Sequence, residues 1–122
     1  VSIQALLPDD EINAINQRTK TGGAEIVNLL KTGSAFYAPS AAAVAMAKSI
    51  LRNENRLLPT AAFLDGQYGL KDIYMGVPCV LGKNGVERIV ELELDDASRQ
   101  SLHTSADAIR ADLNSLREKG LL

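Results

Sequence analysis

An α+β domain, an antiparallel β-meander with helices packed on it, is the fold class this sequence predicts. Three observations carry that reading. Helical spacing of apolar residues runs from residue 8 to about residue 53. Strand-length apolar runs divided by glycine turns occupy residues 56–94, and a helical stripe returns near the end. Helices, then a meander, then a closing helix is the order expected of an α+β layer architecture.

The first helix spans Pro8 to roughly Lys31. Pro8 suits a first-turn position, and Asp9, Asp10 and Glu11 put negative charge at the positive end of the helix dipole. Ile12, Ile15, Ile26, Leu29 and Leu30 recur at three- and four-residue steps and predict one buried face. Gly22-Gly23 interrupts them. Two adjacent glycines cost about 1 kcal/mol each inside a helix, so a kink or brief break is expected there.

Thr32-Gly33-Ser34 reads as a connector, followed by an alanine-rich helix that ends by Asn53-Glu54-Asn55. Pro39 fits only near the start of that helix, because deeper in it would remove a hydrogen bond and clash with the preceding turn. Val44, Ala47, Ile50 and Leu51 form its stripe.

From Arg56 the period changes. Leu57–Leu64, Ile73–Leu81 and Val86–Leu94 are the expected strands, joined by hairpin-type turns at Asp65-Gly66 and Gly82-Lys83-Asn84-Gly85. Val90, Leu92 and Leu94 alternate with Glu91 and Glu93, which predicts one buried and one wet face. The final helix is capped by Asp95-Asp96, and Leu102, Ala106, Ile109, Leu113 and Leu116 step by four, three, four and three. Arg117 and Lys119 complement its negative end, and Gly120 suits a left-handed stop.

Length and composition bound the function classes. At 122 residues there is room for one domain, large enough to bury a core without disulfides or metals. An apolar fraction of 46% with 23% charged residues excludes wholesale disorder. Thirteen basic against fifteen acidic residues leave a charge of −2, which argues against a nucleic-acid partner and against an anionic membrane surface. The longest apolar run, Ala41 to Ala47, is too short to span a bilayer, and no secretory signal opens the chain. One cysteine makes no intrachain disulfide and suits a reducing, cytoplasmic compartment.

No motif carries chemistry by itself. One His and one Cys on different elements do not make a transition-metal site. His103 lies just off the apolar stripe of the last helix, as a boundary histidine would, and Cys79 sits inside an apolar run, as a core cysteine would. Gly76 to Lys83 has five residues where a phosphate-binding loop needs four between its glycines, and Asn84 replaces the Ser or Thr. No G-x-G-x-x-G fingerprint follows any strand. Glu87, Glu91 and Glu93 follow strand alternation and read as a solvated face.

Four ordered blocks nevertheless resemble one family. They are Arg18-Thr19-Lys20-Thr21-Gly22-Gly23-Ala24-Glu25-Ile26-Val27, Lys31-Thr32-Gly33-Ser34-Ala35-Phe36-Tyr37-Ala38-Pro39, Asp65-Gly66-Gln67-Tyr68-Gly69-Leu70-Lys71-Asp72, and Gly76-Val77-Pro78-Cys79-Val80-Leu81-Gly82-Lys83-Asn84-Gly85-Val86-Glu87. Together they are similar to the NAD-dependent lactate/malate dehydrogenases, and the first two resemble the bacterial malate branch more than the lactate branch. The similarity runs over nearly the whole chain but matches only the family's carboxyl-terminal, substrate-side domain. The resemblance therefore implies that residues 1–122 are a single substrate-side domain, with the Rossmann NAD-binding domain, the substrate-binding arginines and the Asp–His proton relay lying before Val1. His103 does not match the catalytic histidine, so no catalytic residue is expected here.

The family's reaction is reversible oxidation of malate to oxaloacetate with NAD, and the chain alone is expected to be inactive. Carried over by position, Ser34 and Ala35 would form part of the substrate pocket wall, Ala35 leaving room for a dicarboxylate, and Pro39 would approach the nicotinamide ring. The implied partners are the Rossmann half of the same enzyme and further copies in a homo-oligomer. The stripe Val44, Ala47 and Leu51 admits either intersubunit packing or intradomain core. Two other readings stay open: a non-catalytic α+β interaction or dimerisation module, and the corresponding domain of a lactate or other 2-hydroxy-acid dehydrogenase.

Overall fold

A computed structural model describes Val1 and residues 3–121. The chain divides into two compact units, Val1–Val44 and Ala45–Leu122. The elements in order are a 3₁₀ turn (Ile3–Ala5), helix α1 (Asp9–Leu30), helix α2 (Tyr37–Leu51), strand β1 (Arg56–Asp65), a second 3₁₀ turn (Gln67–Gly69), strand β2 (Lys71–Gly82), strand β3 (Gly85–Ile89) and helix α3 (Asp96–Glu118).

In the first unit, Pro8 stands just outside α1 as its N-cap, in extended conformation. Its carbonyl accepts the amide of Ile12 at 3.1 Å. The helix ends where Lys31 turns left-handed, φ 61°, and bonds back to the Val27 carbonyl. The break expected at Gly22-Gly23 does not occur. A two-point contact spans that stretch, with Arg18 Nη2 and Nε donating to the two Glu25 carboxylate oxygens at 3.1 and 3.2 Å. No side chain at position 22 intervenes, and nothing lies within 4 Å of where a Cβ would stand. The hydrogen bond from Arg18, followed by its charge, holds the Glu25 carboxyl below its ordinary range. The buried face expected of α1 is absent as well. None of its residues is buried, and Ile15, Ile26, Leu29 and Leu30 are all exposed. Among the described residues of this unit, none buries that apolar side.

The second unit holds the core. Its sheet has the order β1-β2-β3, antiparallel throughout. Alternation along β1 and β2 sends Ala62, Leu64, Ile73, Met75, Val77, Cys79 and Leu81 to one face, where Leu70 and Ala106 join them. Met46 and Ile50 of α2, and Leu102 and Ile109 of α3, pack against this cluster. The α2 residues that face the core are thus Met46, Ser49 and Ile50, whereas Leu51 is 85% exposed. The α3 stripe follows its predicted spacing for four of its five residues, Ala106 buried and Leu102, Ile109 and Leu113 half-buried, whereas Leu116 near the end of the helix is exposed. Asp95 caps the helix by accepting the Ser98 amide. Gly120, φ 66°, lets the Leu121 and Gly120 amides return to the Leu116 and Arg117 carbonyls.

Two expectations for the meander need correction. The β1–β2 connection is a five-residue loop containing a 3₁₀ turn, not a tight hairpin at Asp65-Gly66. The third strand stops at Ile89 instead of running to residue 94, and Leu92 is exposed. The reason lies in that same loop. After one bond from the Val90 amide to the Pro78 carbonyl, the backbone turns to Tyr68 for partners. The Tyr68 hydroxyl donates to the Val90 carbonyl at 2.8 Å and accepts the Leu92 amide at 3.0 Å, while the Tyr68 amide bonds Glu91. An aromatic side chain replaces the neighbouring strand.

Candidate functional site

The segment between α1 and α2 positions the residues singled out from the sequence. Lys31 closes α1 in the left-handed region, Gly33 takes φ 84°, and residues 34–36 run irregularly into α2. Pro39 sits in the first turn of α2, where its missing amide breaks no intrahelical bond; the first such bond, from the Ser40 amide to the Phe36 carbonyl, is 2.9 Å. Ser34 is exposed and Ala35 half-buried.

Beside Ala35 is a recess of about 130 Å³, lined by Ile26, Leu30, Ala35, Phe36, Tyr37 and Ala38. The Phe36 and Tyr37 rings lie 4.5 Å apart between centroids, tilted by 36°. Of the three predicted residues, only Ala35 lines this recess. Ser34 and Pro39 flank it in the chain. Sequence reading passed over Phe36 and Tyr37 themselves, although adjacent aromatics in a chain with two Phe and three Tyr were a signal. The lining contains no carboxylate, imidazole or amine. The Tyr37 hydroxyl is the one polar side-chain group in this lining.

His103 and Cys79 behave as their sequence context predicts, whereas Glu91 and Glu93, expected on a strand face, lie beyond the end of β3 at Ile89. His103 is half-buried, and its Nε2 lies 3.1 Å from the Tyr68 carbonyl, so that nitrogen donates. It borders a cleft of about 380 Å³ with Tyr68, Glu91, Leu92 and Arg99. Cys79 is fully buried, and burial pushes its thiol above the ordinary range. Gly76 lies within β2, and Gly82 pairs with Gly85 across the β2–β3 turn. Glu87 secures that turn by accepting the Asn84 backbone and side-chain amides at 3.0 Å. Among the described residues, no group of three or more His, Cys, Asp or Glu is placed to hold a metal ion, and no helix is long and apolar enough to cross a membrane.

Residues 1–119 match the family model described as lactate/malate dehydrogenase, alpha/beta C-terminal domain. A malate dehydrogenase of Xanthobacter autotrophicus is 62% identical over 101 residues, which make up 83% of this chain and 32% of that protein. The malate dehydrogenase structure from Salinibacter ruber superposes with a TM-score of 0.90 at 45% identity, covering 98% of this chain and 40% of that one. A lactate dehydrogenase from Eimeria maxima, solved with NADH and oxamate, also gives a TM-score of 0.90, at 37% identity over 96% of this chain and 36% of that one. The chain therefore spans 32% to 40% of the length of these relatives.

Proposed function

From the chain's membership of the lactate/malate dehydrogenase family, to which it belongs as the α/β carboxyl-terminal domain, we propose that it is the substrate-side part of a malate dehydrogenase. The whole enzyme would interconvert malate and oxaloacetate with NAD. The observation that carries the malate reading is the 62% identity to a malate dehydrogenase across most of the chain. The remaining length of such relatives is where the Rossmann half would lie, and with it the catalytic acid–base pair.

Within this division of labour the chain holds and shapes. Ala35, half-buried beside an uncharged recess, is the small residue that leaves space for the second carboxylate, and Ser34 offers an exposed hydroxyl next to it. Pro39, rigid in the first turn of α2, presents an apolar ring to the nicotinamide. NAD supplies the hydride acceptor when bound. The fit of these residues to it is limited to that one contact: Gly76 is inside a strand and Gly82 and Gly85 belong to a hairpin, so none of these three offers a loop to cradle a pyrophosphate. The exposed apolar side of α1 supports a homo-oligomer, and the single, buried, unpaired cysteine supports a cytoplasmic setting.

The match to a lactate dehydrogenase keeps pyruvate as the competing substrate. The test is NADH oxidation by the full-length protein with oxaloacetate and with pyruvate, and by residues 1–122 alone. Turnover of oxaloacetate in preference to pyruvate by the whole protein, with none from the 122-residue chain, is expected. Preference for pyruvate overturns the malate reading, and activity in the short chain overturns the division of labour.

A further inference from the structure

Asn84 is followed by Gly85, and no other asparagine of the chain precedes a glycine. The pair stands at the β2–β3 turn, where Gly82 and Gly85 are register partners and Lys83 and Asn84 lie between them. Asn84 is exposed. Gly85 takes φ 91°, a conformation that residues with a side chain rarely adopt, so the turn requires its glycine. Nothing lies within 4 Å of where a Gly85 Cβ would stand, which leaves the step from Asn84 to Gly85 uncrowded. Glu87 holds the asparagine. Asn84 Nδ2 donates to its two carboxylate oxygens at 3.0 and 3.2 Å, and the Asn84 backbone amide donates to one of them at 3.0 Å. The backbone hydrogen bond, followed by the side-chain one, keeps the Glu87 carboxyl below its ordinary range and therefore ionised at neutral pH.

Asparagine is a thermolabile residue, and a following glycine, with no side chain, is the least hindered neighbour for attack on its amide. The Gly85 nitrogen, deprotonated by hydroxide, adds to Asn84 Cγ. The new N–Cγ bond closes a five-membered succinimide and the Cγ–Nδ2 bond breaks. The leaving nitrogen takes a proton from water and departs as ammonia, which returns the hydroxide. Water then opens the ring at either carbonyl, giving aspartate or isoaspartate, and nothing is oxidised or reduced. Departure of Nδ2 breaks both of its bonds to Glu87, so those bonds oppose the reaction. We propose that Asn84 is a site of spontaneous deamidation and that Glu87 is the latch that restrains it in the folded protein. Ring opening puts a second carboxylate where Glu87 has held an amide donor, and the two repel. The turn then keeps its tie to the loop after α2, the Lys83 amide donating to Asn53 Oδ1 at 3.0 Å, but loses its own internal clasp. The modification is a one-way loosening of the β2–β3 turn and is independent of the enzyme reading above.

The experiment incubates the full-length protein at mildly alkaline pH and follows each asparagine of residues 1–122 by peptide mass, with isoaspartate confirmed by enzymatic methyl transfer. Folded wild type, wild type in denaturant, Glu87→Ala and Glu87→Gln are compared, and circular dichroism reports the fold of each variant. Conversion at Asn84 ahead of every other asparagine is expected, slow in folded wild type and about tenfold faster in Glu87→Ala, as loss of charge-assisted hydrogen bonds implies. Glu87→Gln, which keeps one accepting oxygen, should fall between them. If denatured wild type converts first at another of these asparagines, or at none, Asn84 is not the site. Equal rates in wild type and a folded Glu87→Ala overturn the latch. So does conversion of Asn84 as fast in folded as in denatured wild type, and this comparison decides the matter if Glu87→Ala does not fold.

Discussion

The Ser49 hydroxyl, fully buried on α2, donates to the Leu81 carbonyl at the end of β2 across 2.7 Å. It also accepts the amide of Arg56, the first residue of β1, at 3.2 Å. One small polar side chain thus joins a helix and two strands.

Ser49→Ala would leave that carbonyl and that amide without their partner. Leaving a buried polar group unsatisfied costs about 1–3 kcal/mol, whereas removing both partners of a hydrogen bond together can be nearly neutral. A fall of several degrees in the thermal midpoint is expected, about 4–8 °C per kcal/mol for a unit of this size. A midpoint within one or two degrees of wild type would show that water replaces the hydroxyl.

Tyr68→Phe removes the hydroxyl that ends the third strand early. The ring stays packed against the core while the Val90 carbonyl and Leu92 amide lose their partner, so a cost of about 1–2 kcal/mol is expected. Hydrogen exchange locates the effect: the Leu92 amide should exchange faster, with the β1–β2 amides much less affected.

Two groups give stability opposite pH dependences. The Ser98 amide holds the Asp95 carboxyl below its ordinary range. Its contribution is therefore present above the unfolded carboxylate value and is lost as pH falls through the lowered folded one. Asp95→Asn keeps a capping oxygen but does not titrate, so it should flatten the acid limb of the stability curve while changing neutral-pH stability little. Burial raises the Cys79 thiol, so its contribution is present below the unfolded thiol value and is lost as pH rises through the raised folded one. A thiol reagent at neutral pH should label Cys79 only after denaturant is added.

How much of this could be read from sequence depended on whether a residue's partner was local. The α3 stripe and its Asp95 cap follow from spacing alone, because helix period and capping are decided within a few residues. The strand alternation of β1 and β2 was legible for the same reason. Residues 90–94 also alternate, yet they leave the sheet because Tyr68, more than twenty positions away, supplies their hydrogen bonds. Gly22-Gly23 reads as a break by propensity, but the α1 hydrogen-bond ladder continues through it and Arg18 and Glu25 meet across it. Ser49 gave no signal in its local sequence, since its worth lies in a carbonyl 32 residues away. Of the candidate site, the Ser34–Ala35 segment was visible through resemblance, whereas the recess beside it needs Ile26 and Leu30 to return from α1.

The proposed role of Ala35 makes the sharpest functional prediction. Its methyl group faces a recess of about 130 Å³ whose other walls are Ile26, Leu30 and the Phe36–Tyr37 pair. Leucine at this position projects into the space a dicarboxylate would use, without adding charge or removing a hydrogen bond. Pocket volume of one or two carbon groups is worth roughly 10- to 200-fold in discrimination. In the full-length protein, Ala35→Leu should lower kcat/KM for oxaloacetate by about 10- to 100-fold, with a smaller effect on pyruvate, and leave the thermal midpoint near that of wild type because residue 35 is only half-buried. Equal losses for both substrates would mean that the residue supports the fold of the α1–α2 connection instead of shaping the pocket. Unchanged kinetics would place the substrate elsewhere.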